Sequence, residues 1–277
     1  IHCSPKERKI KHHFILPLKA GVIEPSFDRK NIKNSFSLEE KIREGIHRLH
    51  LANKDIAVLL PEFCLKVFVF SFDSLPASPK EREKIILWRL KKQMPQFPED
   101  ARLSFEFIKQ NKEEKVIIGL AKASLVREYE DLFSRLHLKV KAVSVPTLCL
   151  FNLIDWEGEA DAIVANIEED HLSLIAIINS EVSLYRLKAF ALDSRSTMPF
   201  SQKMENIVKE IENTIHFIED REKKRINSLW VRLGFLEAEA DVISQLKGRF
   251  SLPLRQIESS IAFDLNLKEK HLLSPLI

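Results

Sequence analysis

Nine histidines and three cysteines are the side chains of this 277-residue chain best suited to bind a metal or to act as base and nucleophile, and their spacing favours neither role. His12 and His13 could join Cys3 on a metal ion, but no fourth ligand stands at a useful spacing, and an adjacent pair in a polar terminal stretch reads as solvated. His137, His171 and His216 have no Ser or Cys beside them in a recognisable nucleophile word, so no acyl-transfer triad is expected. Phosphate chemistry also starts at a disadvantage. Loops that wrap backbone around phosphate need glycine for positive φ and close approach, and the chain has only six. The run Arg221-Glu-Lys-Lys-Arg225 could meet phosphate or anionic lipid, but it reads as a solvated loop closing a long helix, whose C-terminus favours cations.

A binding role has better support. Ile85, Ile86, Leu87, Trp88 and Leu90 give the segment 79–93 an apolar arc wider than one core contact needs, which leaves a side for a partner. Arg89, Lys91 and Lys92 beside that arc suit an acidic or amphipathic peptide. The candidate partner-binding residues are therefore Trp88, Leu90, Lys91, Met94 and Phe97, expected in a groove between this helix and a strand at 116–122.

The elements that must position these residues follow from composition and periodicity. With 45% hydrophobic and 30% charged residues the chain is globular, and its length suggests about two domains. A net charge of +3 is too even to make nucleic acid the main partner. Cys3, Cys64 and Cys149 lie far apart without CxxC spacing and read as thiols of a reducing compartment. The longest charge-free apolar stretch, 142–154, is too short for a bilayer and contains Pro146; the first thirteen residues lack an apolar signal region, so a cytoplasmic location is expected.

Ser37-Leu-Glu-Glu40 forms a capping box ahead of a helical stripe at Leu38, Ile42, Ile46 and Leu49. Residues 55–60 and 63–72 read as strands, the second covered on both faces and so interior to a sheet. Ser78-Pro-Lys-Glu81 places an N-cap, a first-turn Pro and a third-position Glu, predicting a helix over 79–93 that Pro95 and Pro98 stop. Residues 103–109 and 115–122 predict a hairpin, the stripe from Leu125 to Leu136 a helix, 139–145 a strand and 146–156 a helix. Gly158 and its acidic neighbours link this half to a second.

In the second half, 161–167, 171–178 and 181–189 are separated by turns too short for crossovers, the pattern of a meander. A long helix striped by Met204, Ile207, Val208, Ile211, Ile215 and Ile218 follows, then a strand at 228–233, a turn at Gly234, a helix at 236–250 and a strand at 252–257. The order βββαβαβ is that of a ribonuclease H-like half, and two such halves make an actin-like α/β protein. The expected division is 1–157, with an inserted peptide-binding subdomain near 73–122, and 158–277. The first half lacks its initial strands, because only 14–18 offers an apolar candidate ahead of Leu38.

These elements and their local words resemble the PilM family of type IV pilus assembly proteins and the related cytoplasmic part of the GspL proteins of type II secretion. Asp55-Ile-Ala-Val-Leu-Leu-Pro61, Asp73-Ser-Leu-Pro76, Trp88-Arg-Leu-Lys-Lys-Gln-Met-Pro95 with Phe97-Pro98, Val140-Lys-Ala-Val-Ser144 and Glu210-Ile-Glu-Asn-Thr-Ile-His-Phe217 carry the likeness in order along most of the chain. The resemblance implies an inner-membrane assembly platform, with the cytoplasmic segment of a PilN-type bitopic membrane protein, and the assembly ATPase, as partners. The chain would reach the membrane through those partners. The alternatives are a working actin-like ATPase whose first phosphate loop lies outside this sequence, or a sugar kinase of the same superfamily.

Departures from the family's pattern point away from both alternatives. The Asp-Ile-Gly turn expected on the first strand has no counterpart before Leu38. Its second-half equivalent reads Asn166-Ile-Glu168-Glu-Asp170, which would set three acidic groups against a triphosphate without a glycine nest, and only Gly234 stands where the family has a Gly-Gly pair. Asn166, Glu168 and Gly234 are therefore read as positions of a degenerate nucleotide site, with no catalytic residue, cofactor or metal, and the chain as a non-enzymatic scaffold.

Overall fold

The computed structural model describes residues 2–4, 9–50, 54–110, 113–154, 156, 161–190, 198–234 and 239–257. The expected link at Gly158 lies outside them. Twelve strands and six helices are present among the described residues.

The chain opens with β1 (His2–Ser4) and β2 (Lys9–His12), which pair antiparallel as a sheet of their own. Residues 14–18, the apolar candidate for a missing strand, are not one. Phe14, Ile15 and Leu18 are each at least two-fifths exposed, and Phe14 lies under the Arg48 guanidinium. Helix α1 (Ser35–Arg48) starts before the expected capping box: Asn34 is the N-cap and its Oδ1 accepts from the Ser37 N–H at 3.0 Å. Asn takes this position because its short side chain reaches a free amide of the first turn.

Strands β3 (Asp55–Leu59) and β7 (Lys139–Ser144) form a parallel pair, and the ladder continues where the Leu60 N–H donates to the Ser144 carbonyl. Between them lie a 3₁₀ turn (Glu62–Cys64), β4 (Lys66–Phe72), α2 (Pro79–Gln93), β5 (Ala101–Gln110), β6 (Glu113–Lys122) and α3 (Ala123–Arg135). Sheet order is β4-β6-β5, antiparallel throughout, so β4 is an edge strand and not interior. Its hydrophobic run reports coverage of both faces: Phe70 joins the cluster under α2, while Val69 packs with residues of the second half. The sheet thus takes in residues upstream of 73.

Helix α2 has the limits its Pro and its stop signals predict, although the Ser78 side chain makes no capping bond. Short α4 (Pro146–Phe151) ends five residues before the expected Trp156.

The second half is the meander β8 (Ala162–Ile167), β9 (His171–Ile178) and β10 (Glu181–Ala189), then α5 (Phe200–Glu222), β11 (Ser228–Leu233), α6 (Glu239–Arg249) and β12 (Leu254–Gln256). Its sheet runs β10-β9-β8-β11-β12, with β9 antiparallel to both neighbours and β11 parallel to β8 and β12. Alternation along β8 divides two cores. Ile163, Ala165 and Ile167 meet Met204, Ile207, Ile211 and Ile218 of α5, while Ala162 and Val164 face Leu150, Ile154, Val69 and Ile117. Burial of both faces explains why β8 and β9 read as continuous apolar runs. The cationic run after α5 is tied down: Lys223 closes the helix at positive φ, Arg221 donates to the Ser183 carbonyl at 2.9 Å, and Lys224 lies 3.8 Å from Asp161.

Candidate functional site

Ligand crevices in open α/β sheets form beyond the carboxyl ends of parallel strands, where the chain turns away from the sheet. Two such places meet here. Glu62 and Thr147 follow the ends of β3 and β7, while Glu168 and Gly234 follow the ends of β8 and β11, with Asn166 and Arg232 on their last turns of strand. Instead of a void, the meeting point holds a continuous hydrogen-bonded chain of side chains.

Arg232 and Asn166 are direct partners in the β8–β11 register, and Arg232 Nη1 donates to Asn166 Oδ1 at 2.8 Å. The same guanidinium nitrogen bonds the Glu168 carboxylate. Asn166 Nδ2 donates to Thr147 Oγ1 at 2.9 Å, and Thr147 donates from Oγ1 (2.5 Å) and backbone N (2.7 Å) to Glu62 Oε1. Tyr185 donates to the other carboxylate oxygen at 2.5 Å, and Ser173 Oγ lies 2.9 Å from Thr147 Oγ1. Glu62, Thr147, Asn166, Ser173 and Arg232 are all buried. Among the described residues no cation stands in ion-pair contact with Glu62, so amide, hydroxyl and phenol dipoles stabilise its charge, with Arg232 at the far end of the chain. Burial, and then the neighbouring Glu62 charge, push the Tyr185 phenol well above its ordinary value.

The sequence-predicted positions Asn166, Glu168 and Gly234 are brought together. A Cβ built on Gly234 would fall on the Glu168 carboxylate, so Glu168 occupies the space that this glycine opens. Two of the three acids of this turn have side-chain partners. Glu168 is paired with Arg232, and Asp170 bonds His171 Nδ1 at 2.6 Å, which is the main cause of its lowered pKa. Lys203 Nζ donates to the Glu169 carbonyl at 2.6 Å, and desolvation lowers its pKa against the pull of the three acids. Glu62, Thr147, Ser173, Tyr185 and Arg232 did not stand out as a set in the sequence; their signal was a polar residue inside an apolar run, as in Ser228-Leu-Trp-Val-Arg-Leu233.

Of the five candidate partner-binding residues, Leu90 is corrected. It is wholly buried, and with Ile86 it packs α2 onto Val116 and Ile118, all without exposed surface, so the space expected between α2 and β6 is filled at these residues. Trp88 is 65% exposed, Lys91 lies over the Phe97 ring at 5.6 Å, and Met94 and Phe97 are half-buried. A concavity of about 810 Å³ lies elsewhere, between the 27–39 segment and α3. Phe27, Ile32 and Leu125 form its floor, and Phe36, Arg127 and Arg135 its rim.

No protein-family model and no curated protein matches the sequence. Solved structures do. The structure of the PilM–PilN type IV pilus biogenesis complex aligns over 94% of this chain and 86% of its own, at 12% identity and a TM-score of 0.74. The cytoplasmic domain of EpsL, an inner membrane component of the type II secretion system of Vibrio cholerae, aligns over 86% and 79%, at 14% identity and a TM-score of 0.50. The fold is actin-like. The crevice beyond the carboxyl ends of β3, β7, β8 and β11 is the place that the Arg232–Asn166–Thr147–Glu62 chain fills.

Proposed function

We propose that this protein is a non-enzymatic scaffold on the cytoplasmic side of an inner membrane, in a type IV pilus or type II secretion assembly platform. There it binds the short cytoplasmic segment of a PilN-type bitopic membrane protein and contacts the assembly ATPase. The observation that carries this reading is the fold likeness along 94% of the chain to a PilM–PilN structure. The side-chain-filled cleft supports a pseudo-ATPase: a triphosphate would have to displace Glu168 from Arg232, and it would gain no glycine nest in return. No described helix is long and apolar enough to cross a membrane.

The concavity between the 27–39 segment and α3, of about 810 Å³, has volume for a peptide. Calorimetric titration of the full chain is the test. The cytoplasmic peptide of a PilN-type protein is expected to bind, Phe36→Ala at the exposed rim should weaken binding by about 1–3 kcal/mol, and Mg-ATP should give no saturable heat. Stoichiometric micromolar binding of Mg-ATP would overturn the pseudo-ATPase reading. A peptide that fails to bind, or binds Phe36→Ala equally well, would overturn this docking site.

A further inference from the structure

The outward face of α2 concentrates charge out of proportion to the molecule. Lys80, Arg82, Lys84, Arg89, Lys91 and Lys92 stand against Glu81 and Glu83, giving the fifteen-residue helix a net +4, whereas the whole chain carries +3. Helix α1 neutralises its own cations through Lys41–Glu44, Arg43–Glu39 and Arg48–Glu44 pairs. Among the described residues no carboxylate pairs with any of the six cations of α2. Arg82 and Arg89 turn back to donate to the Pro76 and Ser71 carbonyls, which leaves Lys80, Lys84, Lys91 and Lys92 facing solvent.

In the midst of these lysines stands Trp88, 65% exposed, with Ile85 beside it at 38% and Lys92 Nζ 5.4 Å from the indole centroid. Positions 84, 88 and 91 to 92 fall on one helical face. Ile86 and Leu90 fix the opposite face in the core, so the orientation of the Trp and its lysines is set by packing. The outcome is an exposed cationic helix face with one indole among its lysines, its orientation held by the core contacts of Ile86 and Leu90. It matches a broad anionic plane: lysines gain from the negative surface potential, and an indole prefers the headgroup layer.

We infer that α2 is a direct contact with the membrane surface, recognising anionic phospholipid headgroups through Lys84, Lys91 and Lys92 and seating Trp88 among them. This goes beyond attachment through a bitopic partner and does not depend on it.

The test is co-sedimentation of the full chain with phosphatidylcholine vesicles, with and without phosphatidylglycerol. Binding is expected only to the anionic vesicles and should fall as salt rises. With each lysine near the surface contributing about 1 kcal/mol, the Lys84→Ala/Lys91→Ala/Lys92→Ala variant should bind roughly a hundredfold more weakly. Its unfolding midpoint should not move, because these side chains are exposed. Trp88 is the exposed one of three tryptophans, so anionic vesicles should shift the emission of the wild type to the blue, and Trp88→Phe should abolish the shift. Equal binding to both vesicle types, undiminished binding of the triple variant, or no binding to anionic vesicles would each overturn the proposal, the last leaving the face to an acidic protein segment. Because the vesicles contain no protein, failure here is separable from failure of peptide binding.

Discussion

Thr147→Val tests whether the polar chain across the crevice holds the two halves together. Thr147 is wholly buried and its hydroxyl touches Glu62 Oε1 at 2.5 Å, Asn166 Nδ2 at 2.9 Å and Ser173 Oγ at 2.9 Å. Valine has nearly the same shape, so the substitution removes the hydroxyl without opening a cavity. A hydrogen bond to a charged group contributes about 1.5–3 kcal/mol and a neutral one about 1, and buried groups left unpaired add their desolvation cost. Against that, Glu62 Oε1 keeps the Thr147 backbone N–H at 2.7 Å and Ser173 can reorient. The expected loss is about 3 kcal/mol, a large fraction of the roughly 5–15 kcal/mol typical of a folded domain. Urea unfolding followed by circular dichroism measures it, with an unchanged slope expected because the surface exposed on unfolding is the same. In a double-mutant cycle with Glu62→Gln, the two effects should be coupled by about 1 kcal/mol or more. A loss below about 1 kcal/mol, or strict additivity in the cycle, would refute the reasoning.

Two further outcomes are expected. Leu90→Ala should cost about 2–5 kcal/mol in urea unfolding, because Leu90 has no exposed surface, whereas the exposed Trp88→Ala should stay within about 0.5; equal effects would contradict the packing of α2. Stability should also decline at high pH. Burial pushes the Cys64 thiol up to about 12 from 9.0, and burial with the Glu62 charge raises Tyr185 well above 10.0, so both groups stay protonated longer in the folded chain than in the unfolded one. Their contribution is complete below pH 9 and is lost as the pH rises through 9 and 10 toward the raised values. Urea midpoints measured up that range check the trend; Tyr185→Phe should flatten it above pH 10, and a flat wild-type profile would refute it.

Local signals made much of the fold legible. Pro79 at the first helical position and Pro95 beyond the end fixed α2, and the polar breaks at 168–170 and 179–180 marked the meander because turns that short permit only antiparallel neighbours. What needed tertiary information was not legible. Leu90 and Trp88 lie two residues apart on one amphipathic helix, and only the position of the sheet decides which is core. The hydrophobicity of β4 could not distinguish two covered faces from two paired edges. The contact of Asn166 with Arg232 depends on the β8–β11 register, and that with Thr147 on the meeting of two sheets.

The same hydrogen-bonded chain has a mechanical meaning. A cleft between two halves opens only by breaking whatever spans it, and here the spanning groups are a carboxylate, an amide, hydroxyls and a guanidinium, all sealed from water, backed by the apolar contacts of Val69 and Ile117 with the β8–β9 face. Shearing that seam leaves several of these groups unpaired at once, so small loads produce no gradual yielding. Tension applied beside β3 would reach the five-stranded sheet through these hydrogen-bonded side chains. Across this seam the two sheets are joined as by a strut, which couples β3 and β7 to β8 and β11.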